Sequence, residues 1–232
     1  MLKRFFYLEK FGVSERAFLS SFVLLFNTFT WYYLTRAIID ALLHSFSSTN
    51  TQTMLVLALY LSAVILSTLI GSVLSEKIDR FHFFYVWIIF GTVASLLPLV
   101  LQYNLLSDIL ITSLSFGFSF GFGMPSSAAY FADCTIFENR GRSSGLIFLL
   151  TFLSAPTLLM LIGENVIVLS AISFIWRALV FVIFLVLKPA KVRIDQKKHC
   201  SFLSVIRSKP FLLYIVPWLM FCLIDRLERI YL

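Results

Sequence analysis

The chain alternates long apolar runs with short polar breaks. Six runs of about 18 to 25 mostly apolar residues lie at 17–39, 53–74, 82–102, 108–131, 144–163 and Val166–Leu187, the length a helix needs to cross about 30 Å of hydrocarbon. A seventh opens at Phe211 and reaches Leu232. Only helices and closed barrels satisfy their own backbone inside lipid, and continuous runs of this length are helical. The pattern predicts an all-α polytopic membrane helix bundle. The breaks are short, which predicts that helices adjacent in sequence are antiparallel neighbours in space.

Composition removes the alternatives. Hydrophobic residues make up 59% of the chain and charged residues 13%, whereas a soluble domain carries about a quarter charged residues. Lys and Arg outnumber Asp and Glu by 19 to 12. They keep to alternate loops, which argues against nucleic acid as a partner. The segment before the first span holds four, the second-to-third loop two (Lys77, Arg80), the fourth-to-fifth loop two (Arg140, Arg142) and the segment 188–209 seven. The three loops between these hold none. By the positive-inside rule the N-terminus and the long 188–210 connection are cytoplasmic, in a multi-pass protein of the plasma or inner membrane. The first apolar run is too long for a signal h-region, so the N-terminus is expected to stay in the protein.

Three parts follow: a six-helix domain at 1–188, a basic cytoplasmic linker at 189–210, and the start of a seventh span at 211–232. Within the linker, 201–207 is amphipathic and either lies on anionic lipid or belongs to a plain solvated connection.

One stretch stands apart, FGFSFGFGMPSSAAYFADCTIFENRGRSSG at 116–145. Gly117 and Gly121 fall on one helical face with Gly123 near it, and small residues let helix backbones approach closely in lipid. Pro125 removes a backbone donor and bends or weakens the helix. Such a helix packs tightly on its neighbours, either beside a cavity or as a structural element alone.

Ionisable residues inside spans cost several kcal/mol unless they meet water or a partner. Arg177 sits about eleven residues from the cytoplasmic end of its span, about 16 Å at 1.5 Å per residue and hence near the midplane. Transporter substrates bind at that depth. Arg177 beside Trp176 suits a bidentate bond to an anionic substrate group. The alternative is a structural ion pair with another span, Asp225 being one partner. Asn27 and Trp31 share a face one turn apart, with Tyr32 and Tyr33 beside them, and either line a cavity or pack as aromatics. Arg36, at the outer end of the first span, pairs with Asp40 at i,i+4. Asp225 and Glu228 share a face in the seventh run. They form a proton or cation site, or they mark where that helix leaves the membrane.

Cys134, Cys200 and Cys222 are odd in number and scattered, as are His44, His82 and His199, so neither a disulfide framework nor a metal or cofactor site is expected. His82 and His199 sit at membrane edges without evident partners. The chain has no Ser-His-Asp set, phosphate loop or paired catalytic carboxylates, and an enzyme is not expected.

The second-to-third loop, GSVLSEKIDRFHFF at 71–84, resembles the Gly-x-x-x-Asp-Arg-x-Gly-Arg-Arg signature of the major facilitator superfamily of secondary transporters. Gly71 or Ser72 takes the small position, Glu76 the acidic one, and Lys77 and Arg80 the basic ones. Asp79 stands where the family has glycine, and the closing basic run is missing. Glu138-Asn139-Arg140-Gly141-Arg142, with Gly145 after it, is similar to the family's Arg-Gly-Arg-x-x-Gly stretch. Six spans, a basic connection and Lys-Pro-Phe-Leu-Leu opening a seventh match the family's midpoint, so the resemblance covers the whole chain. It implies transport of a small solute by alternating access, with Glu76, Lys77, Arg80, Arg140 and Arg142 in a charge network that gates conformation. The family's full form has two six-helix halves. This chain is therefore expected to be the N-terminal half with part of a seventh helix, a fragment or truncated form that works with a second half or a second copy. The fourth span lacks a membrane arginine, and the fifth, around Ser154-Ala155-Pro156, lacks a glycine–proline signature, so proton antiport is not implied. A non-transporting membrane scaffold or assembly subunit is the other reading.

Overall fold

A computed structural model describes residues 15–101, 105–135 and 137–187. By internal packing the chain divides into two units, Met1–Val192 and Arg193–Leu232, and the described residues all belong to the first. The linker, the seventh run, Asp225 and Glu228 lie outside the described residues.

Among the described residues there are helices and no strands: α1 (Glu15–Ser45), α2 (Asn50–Lys77), α3 (Arg80–Ala94), α4 (Leu97–Val100), α5 (Leu106–Asp133), α6 (Phe137–Ile162) and α7 (Val166–Leu187). Six spans are long and apolar enough to cross a membrane, α3 and α4 together making the third. The break between α3 and α4 has a local cause. Pro98 carries no amide for the carbonyl four residues back, and the turn closes instead through Leu96 N to Val93 O at 3.0 Å.

Short connections are possible because the helix ends are capped. Thr49 and Gln52 form a reciprocal capping box at the start of α2. The Asp79 carboxylate accepts from Phe81 N at the start of α3. Asn165 accepts from the amides of Ile167 and Val168 at 3.1 and 3.2 Å, opening α7. Gly163, at φ +69°, lets the chain leave α6 in the left-handed region.

The packing order departs from the expectation drawn from the short loops. Helices adjacent in sequence are not the main neighbours. α2 lies along α5 in the most extended interface, α1 runs against α5, α6 and α7, and α3 packs on α5 and α7, while the pairs α2–α3 and α6–α7 barely touch. A short loop fixes direction, but side-by-side contact in lipid is decided by how closely backbones can approach. A Cβ at Gly121 would overlap the Val64 carbonyl and the Ser67 hydroxyl, one at Gly71 would overlap the Phe122 carbonyl, and one at Gly117 would stand 2.5 Å from the Tyr60 carbonyl. Ser113 Oγ donates to Val56 O at 3.1 Å and Thr68 Oγ1 to Gly121 O at 3.3 Å across the same seam.

Gly123 does not share that face. Two residues on from Gly121 is a rotation of about 200°, and a Cβ there would overlap the Trp87 ring of α3. The α5 helix runs unbroken through Pro125. Leu66 on α2, Phe152 and Leu161 on α6 and Val182 on α7 are exposed, as side chains facing bilayer lipid are.

Candidate functional site

The middles of four spans meet at Arg177. Its side chain comes from the centre of α7 and is fully buried. The guanidinium lies over two indoles, with Cζ 4.4 Å from the centroid of Trp87 on α3 and 5.1 Å from that of Trp31 on α1. Each ring face attracts a cation electrostatically. One terminal nitrogen, Nη1, donates to Asn27 Oδ1 and Thr28 Oγ1, both at 3.2 Å. No carboxylate pairs with Arg177 among the described residues.

Each partner is fixed by a further bond. Asn27 Nδ2 donates to the Trp176 carbonyl at 2.6 Å, and Trp176 Nε1 returns a bond to the Asn27 carbonyl at 3.3 Å, so α1 and α7 are clipped by a reciprocal pair. Trp31 Nε1 donates to Ser95 Oγ at 2.8 Å, and that hydroxyl donates to Gly91 O at 2.9 Å. Trp87 Nε1 donates to the Ser119 carbonyl of α5 at 2.6 Å. Both rings are therefore held in orientation before they meet the guanidinium. The Nε and Nη2 edge of Arg177 has no acceptor among the described residues, and the buried hydroxyls of Ser119, Ser170 and Ser173 are likewise unmatched.

The structure brings together Arg177, Trp176, Asn27 and Trp31, the four residues singled out in the sequence. It adds Thr28, Trp87, Gly91, Ser95 and Ser119. A signal for part of this set existed: Trp87 and Gly91 share a face at i,i+4. Gly91 matters because a Cβ there would stand 2.8 Å from Arg177 Nε, and the guanidinium stem passes over it. Tyr32 and Tyr33 pack as aromatics, Tyr32 lying 4.6 Å from Phe120 and Tyr33 5.9 Å from Phe152 between centroids. Arg36 pairs with Asp40 at 3.0 Å.

A second cluster occupies the bundle end that carries the basic loops. Arg80 Nη1 donates to Asp133 Oδ2 at 2.6 Å, and its Cζ lies 5.9 Å from the Tyr130 ring centroid. Arg140 Nη2 donates to Ala132 O at 2.8 Å, satisfying a carbonyl in the last turn of α5. The carboxylate that meets Arg80 is thus Asp133, which the loop pattern did not point to. Glu76, Lys77 and Arg142 are exposed and form no ion pair among the described residues. His82 does have a partner, Asp79, at 3.2 Å in the first turn of α3. No group of His, Cys, Asp and Glu suited to a metal occurs among the described residues.

Six apolar spans around a buried polar centre define a multi-pass membrane helix bundle. The chain matches the model of the Major Facilitator Superfamily over residues 20–225, and it belongs to that family, whose members are transporters rather than enzymes. Neither a curated protein nor a solved structure matches it.

Proposed function

We propose that this chain moves a small solute bearing an anionic group across the membrane by alternating access, with Arg177, Asn27, Trp31 and Trp176 at the binding site. The observation that carries the reading is the Arg177 guanidinium, buried at mid-span with no carboxylate partner and one edge unmatched among the described residues. A charge so placed is costly unless it serves a ligand or a partner. The six-helix bundle works against a second unit, a second half or a second copy, since alternating access needs two bodies rocking about a shared site. The N-terminus and the basic loops face the cytoplasm, in the plasma or inner membrane. At that end Arg80, Asp133 and Arg140 hold the bundle together, while Glu76, Lys77 and Arg142 remain exposed to engage the second unit. Asp225 and Glu228 are the proposed coupling-ion residues.

The test is uptake of a panel of labelled small carboxylates by cells producing the full chain. Arg177→Ala should abolish the uptake seen with wild type while the protein still inserts normally. Unchanged uptake would remove Arg177 from the site. The second reading, a non-transporting scaffold, draws on the complete burial of Arg177 and its bonds to Asn27 and Thr28, which also describe a staple between α1 and α7. It requires that no member of the panel accumulates above the level in cells lacking the protein.

A further inference from the structure

We infer that the Arg177 guanidinium holds a small monoanion, of chloride or formate size, between its Nε–Nη2 edge and the Ser119 hydroxyl. The inference rests on the reading of Arg177 as a binding group, but not on transport. The argument starts from which donors are already used. Nη1 is engaged by Asn27 and Thr28, and the guanidinium carbon lies over the rings of Trp31 and Trp87 at 5.1 and 4.4 Å. A ring face attracts the cation but supplies no nitrogen or oxygen acceptor for its N–H groups. Nε and Nη2 are those remaining donors, and neither finds an acceptor among the described residues.

Ser119 Oγ is buried and unmatched as well. A Cβ placed on Gly91 would stand 2.8 Å from Arg177 Nε and 2.9 Å from Ser119 Oγ, so the two groups flank one glycine. Ser173, one turn before Arg177 on the same face of α7, carries a second unmatched hydroxyl. A set made of donors and a positive charge recognises an acceptor with negative charge. Among the described residues, the carboxylates on the helices packed around Arg177 stand at helix ends: Glu15, Asp40 and Asp108 near the termini of α1 and α5, and Asp133 already on Arg80. None reaches the centre. A Cβ on Gly91 would crowd both Arg177 Nε and Ser119 Oγ, so the place is tight and suits only a small ion.

The experiment uses the purified full chain in lipid nanodiscs. Thermal unfolding and tryptophan fluorescence, which Trp31 and Trp87 make sensitive to this place, are followed against sodium chloride, sodium formate and sodium gluconate at constant ionic strength. Chloride, formate or both should stabilise the protein saturably, and gluconate should not. Response to chloride alone identifies an inorganic ion, and stronger response to formate identifies the carboxylate end of a solute. Arg177→Met should remove the response. Ser119→Ala, a small change that should fold, ought to weaken the apparent affinity roughly three- to tenfold, as loss of one hydrogen bond does. Asn27→Asp places a carboxylate beside Nη1 and should make the protein indifferent to added anion. Equal response to all three salts, or a response that survives in Arg177→Met, overturns the inference. Arg177-dependent uptake without any anion response would sink the monoanion and leave the proposed function standing.

Discussion

The Arg177 guanidinium lies 4.4 Å above the centre of the Trp87 ring, and Gly123 makes that contact possible. The indole is pinned to α5 by its bond to the Ser119 carbonyl at 2.6 Å. It lies flat against the same helix because Gly123, one turn on from Ser119, has no side chain. Three helices thus meet through one ring.

Gly123→Ala should push the Trp87 ring off its seat and lower the unfolding temperature of the protein in lipid or detergent. The loss should be in the range of about 1–3 kcal/mol typical of overpacked sites. Trp87→Leu removes the ring, and adding Gly123→Ala to it should then cost little. Additive losses in the double variant would show that the glycine is there for another reason.

Arg177→Met keeps most of the side-chain volume and removes a buried charge, so its stability should be close to or above that of wild type. Arg177→Ala leaves a void and should lose about 2–5 kcal/mol. Solute uptake should vanish in both. A methionine variant that unfolds as readily as the alanine variant would assign Arg177 a mainly structural role.

The α2–α5 seam predicts a contrast between glycines. Gly121→Val drives a branched side chain into the Val64 carbonyl and should leave little folded protein. Gly145→Ala meets nothing within 4 Å and replaces glycine within α6, so stability should hold or rise by up to about 1 kcal/mol. Detergent-resistant yield and unfolding temperature measure both.

Arg80 and Asp133 are each partly open to solvent, at 30% and 25% of their side-chain area. A double-mutant cycle with Arg80→Gln and Asp133→Asn should therefore return a coupling of no more than about 1 kcal/mol in stability. If the pair gates conformation, each single variant should change uptake far more than it changes unfolding. Proportional changes in the two would make the pair structural only.

Cys134 follows the last residue of α5, is fully buried, and burial pushes its thiol up to about 11. It should resist N-ethylmaleimide at pH 8 from either side of the membrane and react once the protein unfolds. Because the thiol stays protonated longer in the folded state, the sign is fixed. Stability is full below the ordinary thiol pKa and falls as pH rises from there toward 11. Labelling of native Cys134 at pH 8 would contradict its burial. Its silence therefore says nothing about sidedness, and Cys200, outside the described residues, is the thiol that reports orientation.

The spans were legible because apolar length alone selects them, and each of the six runs overlaps its helix or helix pair along most of its length. The neighbours were not. Loop length carries no information about lateral packing, and the deciding glycines face α2 and α3 in turn, a split that follows from the 100° step but needs the partners to be seen. Arg177, Trp176, Asn27 and Trp31 were legible as polar or amphipathic residues at membrane depth. Trp87 was hidden among the aromatics of its own span, where its polar edge made no contrast. Asp133 lies within the 116–145 stretch, and no spacing in the sequence ties it to a loop arginine.

The α2–α5 seam also sets an order of events during synthesis. When α2 has been made, the helix it needs is still unwritten, and the 56 residues from Lys77 to Asp133 must follow before α5 is complete. At roughly 5–20 residues per second that is a wait of about 3 to 11 s. Throughout it, the Gly71 face of α2 has only lipid or the insertion machinery to cover it. The bundle is therefore assembled after its early helices have entered the bilayer, and slowing translation between α2 and α5 should lengthen the time for which α2 is open to quality-control proteases.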